Sequence, residues 1–261
     1  MAPCDTSSRR ALLSMTGLMK FKPSNIHYIL LNAELEQMSD YLSFANESIE
    51  NYRSAFEKLV DEQVSQQELS DKEAFYHYDS ADQEIMQTSS SFANLIFTSF
   101  VMVWYSFVEQ KLLELCDRMG LDDKVELVRE DKGIKKVKKL LSKGAMKYSI
   151  DQSSWTKLEL ISGLRNLLVH QGNCIPCSLK RPNRNQVKSV RYTDDDNDFF
   201  ILVNEKLLPS NLCSYMQKNK ILGVPGPKFI EIQPSLEYCQ QLIVFGQEFF
   251  EKLFKDLKQI S

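Results

Sequence analysis

Apolar positions recur at helical spacing through residues 25–64, which read as one long amphipathic helix or two joined at a kink. Leu42, Ala45, Ile49, Tyr52, Phe56 and Leu59 are spaced alternately three and four apart, with Glu47, Glu50, Asn51, Arg53, Glu57 and Lys58 between them. A stripe of only about three heptads fits a seam against a bundle better than a free coiled coil. Residues 66–84 are polar and acidic around Phe75, Tyr76 and Tyr78, and read as a connector with a short helix. A second helical hairpin is expected to begin near Ser91. Phe92, Leu95, Ile96, Phe100, Val103, Trp104, Phe107, Leu112, Leu115 and Met119 keep the helical period as far as Gly120, a residue suited to ending a helix.

Residues 121–147 read as a linking segment. Ser153 or Ser154 then caps a helix carrying Trp155, Leu158, Leu160, Ile161, Leu164, Leu167 and Leu168, which Gly172 should end with Pro176 beyond it. Residues 174–198 read as a polar loop and 199–203 as the one convincing strand, paired with 186–192 as a hairpin. Residues 204–234, with Pro209, Gly223, Pro225, Gly226 and Pro227, read as irregular. Ser235 should cap a last amphipathic helix that carries Leu236, Cys239, Leu242, Ile243, Phe245, Phe249, Phe250, Leu253, Phe254 and Leu257.

One stretch changes this picture. Residues 87–108 carry no charge, and 92–108 are strongly apolar, which is long enough to span a membrane. Ser89, Ser90, Ser91, Asn94, Thr98, Ser99 and Ser106 interrupt it, and no basic cluster flanks it. A helix buried on nearly all faces, in a bundle or dimer core, is the expectation.

Composition then narrows the function. The chain has 261 residues, 43% hydrophobic and 26% charged, as ordinary globular proteins do, and its nine Gly and eight Pro favour long elements. Its formal net charge is −3, so any contact with nucleic acid must come from a local patch. Two patches qualify. Residues 129–147 hold eight Lys or Arg, including Lys135, Lys136 and Lys139, against Glu130 and Asp131. Lys180, Arg181, Arg184, Lys188 and Arg191 form the second. Both suit RNA phosphates, and the first suits a solvated helix face equally. Among the first twenty residues Arg9, Arg10 and Lys20 outnumber Asp5, mildly like a transit peptide. A flexible or over-long N-terminus, with Met15 or Met19 as the start, explains this better. The six cysteines, without a secretory signal, read as reduced thiols in a cytoplasmic protein.

The informative segment is Leu164-Arg165-Asn166-Leu167-Leu168-Val169-His170-Gln171-Gly172. Arg and Asn break an apolar face, and a His follows in the last turn. Imidazole exchanges protons near neutral pH, and guanidinium matches phosphate oxygens. Cleavage of RNA by its own 2′-hydroxyl needs those two services and no metal. Positions 165 and 170 point about 140° apart on a regular helix. The long Arg side chain, a loosened last turn or a second copy across a two-fold axis must therefore help.

This string resembles the Arg-X4–6-His motif of the HEPN superfamily, with Asn166 as the polar residue after the Arg. The helix around Tyr105-Ser106-Phe107-Val108-Glu109-Gln110-Lys111-Leu112 is similar to the first core HEPN helix, which often carries an acid near its middle. Residues 133–141 resemble the linker of bacterial HEPN proteins, and the long N-terminal extension resembles the MAE-type groups. The resemblance implies an all-α fold: a HEPN-type helical bundle with a small β-hairpin insertion and a long N-terminal helical extension. The organisation would be a flexible 1–24, a helical extension at 25–90 and a HEPN domain at 91–261. It further implies a homodimeric endoribonuclease that leaves a 2′,3′-cyclic phosphate and a 5′-hydroxyl, uses no cofactor, and serves as a toxin or in anti-phage defence. On that mapping His170 is the acid/base and Arg165 binds phosphate. Asn166 supports the site, and Glu109 positions Arg165 or His170. A cognate antitoxin or defence-system partner would accompany it. The rival reading is a non-catalytic HEPN module that docks a partner protein or RNA.

Other chemistry finds less support. Cys174-Ile175-Pro176-Cys177 is a lone CxxC where structural zinc wants four ligands. Asp194, Asp196, Asp198 and Glu205 fit calcium-loop positions, but Phe199 stands where the sharp turn needs Gly.

Overall fold

A computed structural model describes residues 25–66, 70–121, 132–143, 152–178, 187–194, 197–204, 208–225 and 228–259. The elements are α1 (Asn25–Gln66), α2 (Asp71–Arg118), α3 (Gly133–Lys143), α4 (Gln152–Gln171), β1 (Cys174–Ser178), β2 (Val187–Asp194), β3 (Asn197–Asn204), α5 (Ser210–Lys218), β4 (Leu222–Pro225), β5 (Phe229–Ile232) and α6 (Leu236–Gln259). The fold is all-α with a small β insertion.

The organising element is α2, 48 residues long, which packs against α1, α3, α4 and α6. Its core face carries Phe97, Val101, Trp104, Val108, Leu112 and Leu115 at spacings of three and four, all buried. Trp104 is fully buried, with its ring centroid 6.2 Å from that of Phe245 on α6. Gly246 lets α6 approach that closely, since a Cβ there would lie 3.3 Å from the Trp104 ring. A second aromatic pair, Trp155 and Phe249, joins α4 to α6 edge-to-face at 5.5 Å.

The helix ends follow the local chemistry. Ser235 Oγ accepts a hydrogen bond from the Tyr238 N–H at 3.1 Å, so Ser235 caps α6 as its sequence suggests. Gly172, at φ +66°, ends α4 where only glycine turns left-handed without strain. The start of α4 differs from expectation: Ser153 and Ser154 lie inside the helix, which begins at Gln152.

The expected connector at 66–84 is instead mostly helix. α2 begins at Asp71, where Glu73 accepts from the Ser70 N–H at 3.1 Å and the Ser70 hydroxyl at 2.6 Å. It then runs unbroken across residues 90 and 91. The part of α1 beyond Ile49 and the first third of α2 form an arm that is mostly exposed, with Ile85 buried in it. Leu42, Ala45 and Ile49 of the seam are buried, but Tyr52 and Leu59 are exposed because the arm has left the body by then.

The β structure exceeds the expected hairpin. That hairpin forms, with Arg191 opposite Phe200 and Tyr192 opposite Phe199. However, five antiparallel strands make one sheet in the order β2-β3-β1-β5-β4. Residues 174–178 are thus a central strand rather than loop, because Ile175 buries beneath it and its backbone pairs with both β3 and β5. Likewise 204–234 is not irregular throughout: it holds α5, β4 and β5.

Residues 87–108 also depart from expectation. α2 is long and apolar enough to cross a membrane, and 39% of its apolar window is buried. Phe92, Leu95 and Val103 are exposed, so the helix is not covered on nearly all faces.

Candidate functional site

Between α2, α3 and α4 lies a cavity of about 420 Å³ lined by Tyr105, Glu109, Lys132, Gly133, Ile134, Lys135, Glu159, Ser162, Arg165 and Asn166. Helical spacing explains its polarity. Tyr105 and Glu109 are four apart on α2, and Ser162, Arg165 and Asn166 are three and four apart on α4, so each helix offers one polar stripe. The apolar faces of both helices, with Leu158, Ile161 and Leu164 on α4, are buried beside these stripes and hold them in place.

Tyr105 joins the two stripes. It is 3% exposed, and its hydroxyl lies 2.9 Å from Ser162 Oγ and 3.3 Å from Glu109 Oε1. Burial pushes the phenol up to about 12, reinforced by the Glu109 carboxylate and opposed by the Ser162 bond and the Arg165 charge. The hydroxyl therefore stays protonated at neutral pH and can donate.

Arg165 extends over the Tyr105 ring, its Cζ 6.0 Å from the centroid, and Nη1 donates to Asn166 Oδ1 at 3.0 Å. Its Nε is buried and has no hydrogen-bond partner among the described residues. A buried donor without an acceptor costs about 1–3 kcal/mol, and an anion entering the cavity would remove that cost.

Gly133 shapes the opposite wall. It opens α3 at φ +56°, and a Cβ there would collide with Glu109 Oε1. Glycine thus admits the carboxylate to the N-terminal end of α3, where the helix dipole favours negative charge. Ile134, Val137, Leu140 and Leu141 bury the other face of α3. Lys138 bonds Glu159 of α4 at 2.7 Å.

Of the residues named from sequence, Arg165, Asn166, Glu109 and Lys135 share this cavity. Lys136 and Lys139 are on α3, half-buried, and outside the lining. His170 is exposed on the last turn of α4 and does not line the cavity. Lys180, Arg181 and Arg184 lie outside the described residues. Tyr105, Ser162, Lys132 and Glu159 were missed, although Tyr105 is one turn from Glu109 and Ser162 is one turn from Arg165. Cys174 and Cys177 are three apart on a strand, so they face opposite sides of the sheet and do not form a ligand pair. Asp194 and Asp198 sit directly in β2 and β3, with Asp198 opposite Thr193, which is ladder rather than calcium-loop geometry. Compared with models of protein families, with curated proteins and with solved structures, the chain matches none.

Proposed function

We propose that the protein is a metal-independent endoribonuclease that works as a homodimer in the cytoplasm, as a toxin or an effector of anti-phage defence. The observation that carries the reading is the Arg165 cavity: a half-buried guanidinium with an unpartnered Nε, flanked by Asn166, Glu109 and Lys135. A phosphodiester offers the oxygen acceptor that such a donor lacks. The sequence resemblance to HEPN proteins supplies the reaction class and the biological setting.

In the proposed reaction, the 2′-hydroxyl gives its proton to imidazole and its oxygen attacks phosphorus. The bond from phosphorus to the 5′-oxygen breaks, and that oxygen takes a proton. The products are a 2′,3′-cyclic phosphate and a 5′-hydroxyl. Arg165 offsets the charge that grows on the phosphoryl oxygens. Because His170 of the same chain opens to solvent outside the cavity, the reading takes the proton-transfer group from the partner's His170. Glu109 and Tyr105 hold the cavity's shape, and Lys135 adds positive charge at the rim. No step calls for a metal.

The exposure of His170 also favours a second reading, a non-catalytic module that docks a protein or RNA. Incubation with labelled total RNA in EDTA separates the two. The nuclease reading expects cyclic-phosphate ends from wild type and none from Arg165→Ala or from folded His170→Ala. RNA retained but uncut by all three, with no difference in cellular toxicity between wild type and His170→Ala, would establish the docking module instead.

A further inference from the structure

The arm leaves a core stripe uncovered. On α2, Asp71, Phe75, Asp79, Asp82 and Met86 recur at spacings of four, four, three and four, so they share one face, and all five are exposed. Phe75 and Met86 are 66% and 68% exposed. Phe97, Phe100 and Trp104 follow Met86 at eleven, fourteen and eighteen residues, close to whole turns, and they are buried. The arm thus prolongs the face that α6 covers in the body, where Phe245 meets Trp104. On α1 the stripe of Leu42, Ala45 and Ile49 likewise runs on into exposed Tyr52 and Leu59. Exposed Tyr76 widens the apolar surface, its ring centroid 6.1 Å from that of Phe75.

We infer that this face of the arm docks an amphipathic helix of another protein, one rich in Lys or Arg. Charge names the occupant. The residues interleaved with Phe75 and Met86 are the carboxylates Asp71, Asp79 and Asp82. Residues 50–66 and 71–86 together carry nine carboxylates against three Lys or Arg. A helix with an apolar stripe flanked by cations would cover Phe75 and Met86 and set its charges against the three aspartates. Phe75 and Met86 lie about 16 Å apart along the axis, so a segment of about 14 residues is long enough to cover both.

Other occupants fit less well. The arm of a second copy would bring like charge against like charge at every point of contact. RNA phosphates and anionic headgroups meet the same repulsion. The inference does not depend on the chemistry of the Arg165 cavity.

Fluorescence anisotropy of the full chain tests it, with a labelled peptide of that length, built of lysine with leucine at alternating third and fourth positions. Wild type should bind the peptide in low salt and release it as salt rises, with helical circular dichroism gained on mixing. Phe75→Ser with Met86→Ser should weaken binding by about 10-fold or more, and so should Asp79→Lys with Asp82→Lys. The aspartates are exposed, so that second variant keeps the test decisive if the first misfolds. Val244→Ser, exposed on α6, should change nothing. A wild type that does not bind overturns the inference, as does binding that both arm variants leave intact. So does equal binding of a peptide with glutamate in place of lysine, or of a scrambled lysine–leucine peptide that has no stripe. A wild-type dimer in sedimentation that Phe75→Ser with Met86→Ser abolishes would also overturn it, by giving the face to a second copy.

Discussion

The two flanks of α2 invert the usual arrangement of a helix. On one flank Tyr105 and Glu109, a phenol and a carboxylate, are drawn inward and face Ser162, Arg165 and Gly133. On the other, Phe92, Leu95 and Val103 stand in solvent. Burying polar groups costs free energy unless each finds a partner, and exposing apolar ones forgoes stabilisation. A single helix that does both is shaped by something other than its own fold.

The comparison breaks first at the ridge between the flanks. Trp104→Ala should destabilise the protein by about 3–5 kcal/mol, read by urea unfolding, because the ring packs against Gly246 and Phe245. Val103→Ala, one residue away and exposed, should cost under about 0.5 kcal/mol in the monomer. Equal losses at both positions would show that the flank is not bare.

On the polar flank, Arg165→Ala should lower RNA cleavage by about 100- to 1000-fold in single-turnover assays, with stability nearly unchanged. A smaller effect comes from the tyrosine. Tyr105→Phe should cost about 1–2 kcal/mol through its lost hydroxyl bonds. It should also change the alkaline limb. Tyr105 ionises at about 12 in the folded chain and at 10 in its ordinary state. The raised value favours folding below pH 10, and that advantage disappears as pH climbs from 10 to 12. Removing the group should flatten that part of the unfolding profile, although Tyr215, also pushed up to about 12, leaves a residual slope. Another modest effect is expected at the helix end beside His170. Gly172→Ala should cost about 1 kcal/mol, because its φ of +66° favours glycine, and calorimetry would register it as a modest fall in Tm.

Much of this architecture was legible in residues whose local chemistry leaves little choice. Ser235 and Gly172 marked helix boundaries because a hydroxyl cap and a left-handed turn are local devices. The β2–β3 hairpin was legible because residues 199–203 are a short continuous apolar run bounded by polar residues. The arm was less legible. Residues 71–84 show weak apolar periodicity since they touch little more than one neighbouring helix, and periodicity reports burial rather than helicity. β1 was hidden by Pro176 and by its short length, and its partner β5 lies more than fifty residues away. At the site, Arg165 and Asn166 stood out as a charge and an amide interrupting an apolar helix, and Glu109 only through the resemblance of its helix to the first HEPN core helix. Tyr105 and Ser162 did not, because a phenol and a hydroxyl pass as ordinary core and surface residues until two helices are brought side by side.

The continuity of α2 has a mechanical consequence. Phe75 near the arm's tip and Glu109 at the cavity lie on one unbroken helix, separated by about 50 Å along its axis. Glu109 in turn abuts the first residue of α3. The arm is thus a lever whose fulcrum is the packed segment around Trp104. A load applied at the tip would therefore be felt where Glu109 meets Gly133, at the wall of the Arg165 cavity.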